Sequence, residues 1–246
     1  ETAGGIIATQ GIEALFAPTL PIFGRAADVN VANLEVSYTS RGTPHPTKSV
    51  VFRSRPENIA GLAFAGIDLV TIGNNHIIDY GEVGMLDTMS GLDALGIPYC
   101  GAGSSETLAL QPAFRSQDGV RLGFLGLCNR TGREWNYQPF LDAGWDKPGF
   151  AYLLPAQLGA AIAATRPPAD VVIVQTHSGA EYQLEPPLAA APGGFDGFDV
   201  EDTGKEAPDF RFLNEPTPSE RELRRLALDL GADVDRKSTR LNSRHE

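Results

Sequence analysis

The chain has 246 residues, 42% hydrophobic and 21% charged, enough apolar material for a buried core in one large or two small domains; a disordered chain is excluded. Twenty basic against 31 acidic residues leave a net charge of −11, which disfavours nucleic acid as a partner, because phosphate binding needs clustered Lys and Arg, and is compatible with cation binding. No apolar run reaches the roughly 18 residues of a bilayer span, and the opening Glu1-Thr2-Ala3-Gly4 has neither the positive nor the apolar region of a signal peptide.

In chain order, Asp28 to Leu34 reads as a short strand, followed by a loop through Gly42-Thr43-Pro44-His45-Pro46 in which His45 is expected at the surface. Pro56 suits the first position of a helix whose apolar stripe is Ile59, Leu62 and Ala63 and whose stop is Gly66. The near-continuous apolar run from Ile67 to Ile72 predicts a strand buried on both faces. A helix over 82–95 carries Val83, Leu86, Met89 and Leu92 at helical spacing and ends at Gly96, and Ile97 to Cys100 reads as the next strand. Val120 to Leu127 and Asp170 to Thr176 are further strands, with an Ala-rich helix at 156–165 between them. Thr217-Pro218-Ser219-Glu220 is a capping box opening a helix that carries Leu223, Leu226 and Leu230 and stops at Gly231. Strands alternating with helices in this way predict an α/β fold with a central sheet. The stretch 184–216, rich in Gly, Pro, Asp and Glu, reads as a long acidic surface excursion. Cys100 and Cys128 are too few for a zinc cluster and read as small buried hydrophobes, with one disulfide left open.

Three polar clusters fall at the carboxyl ends of predicted strands, where open α/β sheets place their sites. They are Asn33-Leu34-Glu35, Asn74-Asn75-His76 with Asp79, and His177-Ser178-Gly179-Ala180-Glu181. Each alone has a plainer reading: a strand-end turn, a turn in which Asn takes left-handed backbone, and a hydrogen-bonded core histidine. Their coincidence after three strands favours a site. Imidazole, carboxylate and amide oxygen are ligands for hard or borderline divalent cations, and a His beside a bound phosphate or water can act as general acid or base.

The order of motifs resembles the bacterial capsule-synthesis proteins of the poly-γ-glutamate type. The matching text is Ala27 to Glu35, Phe52 through Pro56-Glu57, Ala65 to Val70 leading into Asn74-Asn75-His76-Ile77-Ile78-Asp79-Tyr80-Gly81, Gly96 to Gly103, Leu122 to Gly126, and His177 to Tyr182. It runs over about 27–183 and resumes at about 217–234. The resemblance implies a metallophosphatase-like layered α/β/β/α sandwich, like that of calcineurin-type phosphoesterases, with two divalent metal ions (Mn, Fe or Zn) in the intact protein. It implies Asn75, His177 and Glu35 as metal ligands and His76 as the acid that protonates a leaving oxygen. Asn33, Asn74, Asp79 and Glu181 would orient these groups. The implied function is capsule or poly-γ-glutamate biosynthesis through a metal-dependent hydrolase or transferase acting on a phosphoester or on the polymer's amide bonds. A non-catalytic export or anchoring component that holds an anionic polymer, and a phosphatase for small substrates, stand as alternatives.

Two departures from the family pattern shape further expectations. The family's first strand, ending in a Gly-Asp ligand, and its closing Gly-His-x-x-His motif are both missing, so the site is expected to be incomplete here, with weak or no metal binding and no activity. After Gly231-Ala232-Asp233-Val234, the segment 235–246 turns basic and is similar to a translated sequencing-adapter oligonucleotide. It is therefore read as non-native, with 1–234 as the partial domain. The resemblance also implies the extracytoplasmic face of the cell envelope, any membrane contact running through an anchor outside this sequence.

Overall fold

The computed structural model of the chain describes residues 2–130, 132, 136–178, 225 and 227–238. Three short helices open it: α1 (Thr2–Gln10), α2 (Ile12–Phe16) and α3 (Leu20–Ala26). The periodicity reading leaves them out, because Pro18, Pro21 and the glycines of this region break any long apolar stripe. Then follow β1 (Val31–Asn33), β2 (Ser37–Tyr38), β3 (Arg53–Ser54), α4 (Ala60–Phe64), β4 (Leu69–Thr71), α5 (Gly81–Leu95), β5 (Tyr99–Cys100), β6 (Ala102–Gly103) and α6 (Glu106–Ala109). The second half brings β7 (Ala113–Gln117), β8 (Val120–Cys128), β9 (Gly149–Phe150), α7 (Pro155–Thr165), β10 (Val171–His177) and β11 (Val234–Ser238).

Two larger sheets carry the molecule. The first, in the order β1-β4-β5, is parallel throughout; the second, in the order β11-β10-β8-β7, is parallel except for β7, which forms a hairpin with β8. That hairpin turns on Asp118 (φ 49°) and Gly119 (φ 82°), the Asp-Gly pair that a tight two-residue turn prefers.

Alternation along the strands assigns each face. Val70 and Ile72 point to a core shared with Met85, Met89 and Leu92 of α5, while Leu125, Leu127, Val172 and Val174 point to one shared with Leu158 and Ile162 of α7. The residues between them, Leu69, Cys100 and Phe124 with Val31 and Ile173, close a third cluster in the seam between the sheets. The layers therefore run helix, sheet, sheet, helix: an α/β/β/α sandwich, as expected. Each fully buried Leu or Met in these clusters contributes about 1.5–3 kcal/mol.

The helix stops at Gly66 and Gly96 are as read. Each glycine has positive φ (72° and 66°), and the next amide reaches back five residues, Ile67 N to Leu62 O and Ile97 N to Leu92 O, both at 3.0 Å.

Other expectations are corrected. The strand read at 28–34 shrinks to Val31–Asn33 and is half-buried on the sheet's edge. The strand read from Ile97 starts at Tyr99, because Pro98 has no N–H and serves the ladder only through its carbonyl, which accepts from Val70 N. Pro56 opens a 3-10 turn that leads into α4, and Ala63 is exposed while Gly61, Leu62 and Ala65 are buried. On α5, Leu86 is 43% exposed and Met85 takes its place in the core. His45, read as surface, is buried: its ring Nε2 lies 2.8 Å from Pro139 O.

Both cysteines are free and buried. Val234–Ser238 pairs in parallel with Ile173–His177, so the second sheet's edge strand runs into the segment set apart at 235–246. Most of the 184–216 excursion's neighbourhood, the capping box at 217–220 and Glu181 lie outside the described residues, as does 184–216 itself. Among the described residues, no helix is long and apolar enough to cross a membrane.

Candidate functional site

The carboxyl ends of β1, β4 and β10 meet across the seam between the two sheets. A Cβ placed on Gly73 would lie 2.8 Å from the carbonyl carbon of Gly126, and one on Gly101 would lie 2.6 Å from Gly73 N. Only glycine fits at these positions, and the contact brings β8, beside which β10 lies in the sheet, against the turn that follows β4. The structure thus gathers Glu35, Asn75, His76 and His177, drawn from all three clusters read in the sequence.

Asn74 ties the turn to β1. Its Nδ2 donates to Leu34 O (2.8 Å) and Asn33 Oδ1 (3.1 Å), and its Oδ1 accepts from His76 N (3.1 Å). Asn33 Nδ2 in turn donates to Glu35 Oε2 at 3.3 Å. The other carboxylate oxygen, Oε1, lies 3.4 Å from His177 Nε2 and 3.9 Å from His76 Nε2. His177 Nε2 is 3.0 Å from Asn75 Oδ1. An amide oxygen only accepts, so this bond places a hydrogen on His177 Nε2.

Behind His76 stands Asp79, wholly buried. Its Oδ2 accepts from His76 Nδ1 and from Phe52 N, both at 2.6 Å, and its Oδ1 pairs with the Lys48 ammonium. Lys48 also donates to Asn75 O at 2.7 Å. The Phe52 ring lies over the imidazole of His76, with centroids 4.1 Å apart and planes inclined by 30°. Burial pushes the His76 imidazole below the usual histidine range; the Asp79 hydrogen bond opposes this, and the Lys48 charge acts with burial. Held through Nδ1–H by Asp79, the ring keeps its Nε2 lone pair facing Glu35.

Carboxylate oxygen, amide oxygen and imidazole nitrogen within hydrogen-bonding distance form a donor set whose chemistry fits a divalent cation. Among the described residues, no three His, Cys, Asp or Glu side chains are disposed to hold one as they stand. His177 would first have to move its ring hydrogen from Nε2 to Nδ1.

Sequence reasoning missed Lys48, took His45 for a surface residue and gave Phe52 no part in the site. No spacing rule links a lysine in a loop to a histidine 28 residues later. The only hint was an isolated Lys48 ahead of the apolar Val50-Val51-Phe52.

Residues 3–190 match the family described as bacterial capsule synthesis protein PGA_cap. A probable polyglutamine synthesis accessory protein of Mycobacterium tuberculosis is 30% identical over 175 residues, which cover 68% of this chain and 44% of that protein. The PGA biosynthesis protein CapA of Bacillus subtilis is 27% identical over 179 residues, 72% of this chain and 45% of its own length. Among solved structures, a putative 5′-nucleotidase from Staphylococcus aureus is 16% identical with a TM-score of 0.41, over 71% of this chain and 33% of that one. The chain spans less than half the length of the curated relatives it matches. With most of its residues covered by one family model, the chain belongs to the bacterial capsule synthesis PGA_cap family.

Proposed function

We propose that the chain carries part of the metal-dependent hydrolase site of a capsule or poly-γ-glutamate biosynthesis protein, a site completed in the intact protein. One observation carries this reading: Glu35, Asn75 and His177 converge beside His76, whose far ring nitrogen is anchored on Asp79. Glu35, Asn75 and His177 would hold Mn, Fe or Zn, two ions in the intact protein. A bound divalent cation supplies charge stabilisation at the attacked centre and acidifies a water. His76 Nε2 is the atom at which a proton is taken or returned, and Asp79 keeps the ring oriented and balances the charge that develops on it. Asn33 and Asn74 hold Glu35 and the turn in register. The substrate is an anionic polymer such as poly-γ-glutamate, or a phosphoester, handled at the extracytoplasmic face of the envelope.

A second reading, a component that holds the polymer without cleaving it, draws support from the complete burial of His76 beneath Phe52. One experiment separates the two. In the intact protein loaded with Mn²⁺ or Zn²⁺, the hydrolase releases p-nitrophenol from an aryl phosphate or shortens poly-γ-glutamate, and His76→Ala slows it by about 10²–10⁴-fold while metal content holds. Metal bound without turnover by the unaltered intact protein would leave the holding reading.

A further inference from the structure

Lys48 sits in a loop whose neighbours Pro46, Thr47 and Ser49 include exposed residues, yet its own side chain is only 2% exposed. An ammonium taken out of water costs several kcal/mol unless it is paired and hydrogen-bonded, and a lysine at a loop could as easily have stayed solvated. Here it turns inward onto the 75–79 turn. It donates to Asn75 O at 2.7 Å, pairs with Asp79 Oδ1, and its Nζ lies 3.3 Å from His76 Nδ1. Three consecutive features of the motif, a backbone carbonyl, the imidazole and the carboxylate, thus meet one charge.

The loop itself is fastened at both ends. His45 N donates to Asp79 O at 2.8 Å, and His45 Nε2 lies 2.8 Å from Pro139 O. Gln138 N donates to Thr47 Oγ1 at 2.9 Å, and Phe52 N reaches Asp79 Oδ2 at 2.6 Å. The segment 45–52 is therefore a strap over the turn, with Lys48 as its inward-facing charge.

We propose that Lys48 is a positioning residue: by neutralising Asp79 and pinning the Asn75 carbonyl, it confines the hydrogen shared between Asp79 and His76 to His76 Nδ1, which leaves Nε2 bare toward Glu35. The argument is one of hydrogen-bond accounting. With one oxygen of Asp79 filled by the ammonium and the other by Phe52 N, the remaining approach, from His76 Nδ1, must be a donor as long as Asp79 is an anion. Removing the ammonium leaves a buried carboxylate with no counter-charge, the costlier species, and the shared hydrogen is no longer held on the ring. The shared hydrogen then passes to Asp79, whose carboxylic O–H donates to Nδ1, the ring takes up one proton from solvent on Nε2, and the lone pair facing Glu35 is gone.

This rests on the reading of His76 as the group that moves a proton, but its test needs no substrate. In protein labelled with [15N]histidine, at a pH where the ring is neutral, His76 is identified by the signal lost in His76→Gln. Its two nitrogens are then expected to show the Nδ1–H form alone. Lys48→Arg keeps that form, whereas Lys48→Met gives a mixture or the Nε2–H form, and any metal-supported turnover falls roughly 10- to 100-fold in Lys48→Met. His76 of the unaltered protein in the Nε2–H form would overturn the proposal outright, and that measurement needs no variant to fold. A folded Lys48→Met that keeps the Nδ1–H form would overturn it as well, even if turnover is lost, and would leave the hydrolase reading standing. If the form changes in Lys48→Met but the unaltered intact protein turns over nothing with metal bound, the positioning role holds and the hydrolase reading fails.

Discussion

The two sides of the site are held by different means. On one side, the turn at 74–79 is bound into the first sheet by a polar network: Asn74 to Leu34 and Asn33, Ser37 Oγ to Ile77 O at 3.0 Å, and Asp79 to Lys48, Phe52 and His76. These partners lie between residues 33 and 79. On the other side, His177 is delivered by the end of β10 and meets Asn75, 102 residues away in sequence, across the seam between the sheets. Apolar packing of Leu69, Cys100 and Phe124 and the glycine contact at Gly73 set that distance. One side of the site is thus fixed by buried charges and amides, the other by how closely two sheets approach. Buried polar networks are costly to break at one point, whereas a packed seam yields by degrees.

The widest gap between the two sides should appear on comparing Asp79→Ala with His177→Gln. Asp79→Ala strands the Lys48 ammonium in the interior and should cost about 3–5 kcal/mol. His177→Gln retains an amide that can still donate to Asn75 Oδ1 and should cost about 1 kcal/mol. Urea midpoints of the two variants measure the difference; equal losses would erase the distinction.

Next in size is the seam itself. In Gly73→Ala the new methyl meets Gly126 backbone at 2.8–2.9 Å, atoms that cannot swing aside as a side chain would, and a loss of about 1–3 kcal/mol is expected. Cys100 reports on the same seam from within: burial pushes its thiol up to about 12. Native protein should therefore resist iodoacetamide at mildly alkaline pH, and Gly73→Ala should label faster, since the thiolate forms only when the sheets part. Unchanged labelling in a destabilised Gly73→Ala would mean that the seam opens only on global unfolding.

What the sequence disclosed follows the same division. The buried strand at 67–72, the helix ending at Gly96 and the strand leading to His177 were legible because runs of apolar residues and glycine stops are local signals. So were Glu35, Asn75, His76 and His177 as residues at strand ends, since topology alone gathers such positions. Lys48 was not legible: its pairing with Asp79 depends on a loop folding back over the turn, and no periodicity encodes that. The β7–β8 hairpin is signalled by Asp118-Gly119, but Ala113–Gln117 lacks the alternation of apolar residues that would mark its first strand. The corrected stripe on α5 shows the limit of spacing: Met85 and Leu86 are neighbours, and only the direction of the core decides between them.

The smallest expected effect lies at the far edge of the second sheet and probes how the His177 side is anchored. Asp233 N donates to Val172 O at 2.8 Å, and its Oδ2 accepts from Val172 N and from Arg166, each at 2.7 Å, so one residue fastens the start of β11 to β10. The Val172 amide first, then Arg166, holds the Asp233 carboxyl below its ordinary value of 3.8. A carboxyl lowered by folding stabilises the native state above its unfolded pKa, and that contribution fades as the pH falls through the lowered value. At neutral pH the contribution is complete, but the pair is exposed and screened, so Asp233→Asn should cost less than about 1 kcal/mol. The loss should shrink further in acid, where wild type and variant converge. Urea unfolding at neutral pH and again well below pH 4 checks the sign. A variant whose deficit grows on acidification would show that Asp233 acts through packing at the strand's start. In that case the edge beside His177 would be held in the same way as the seam.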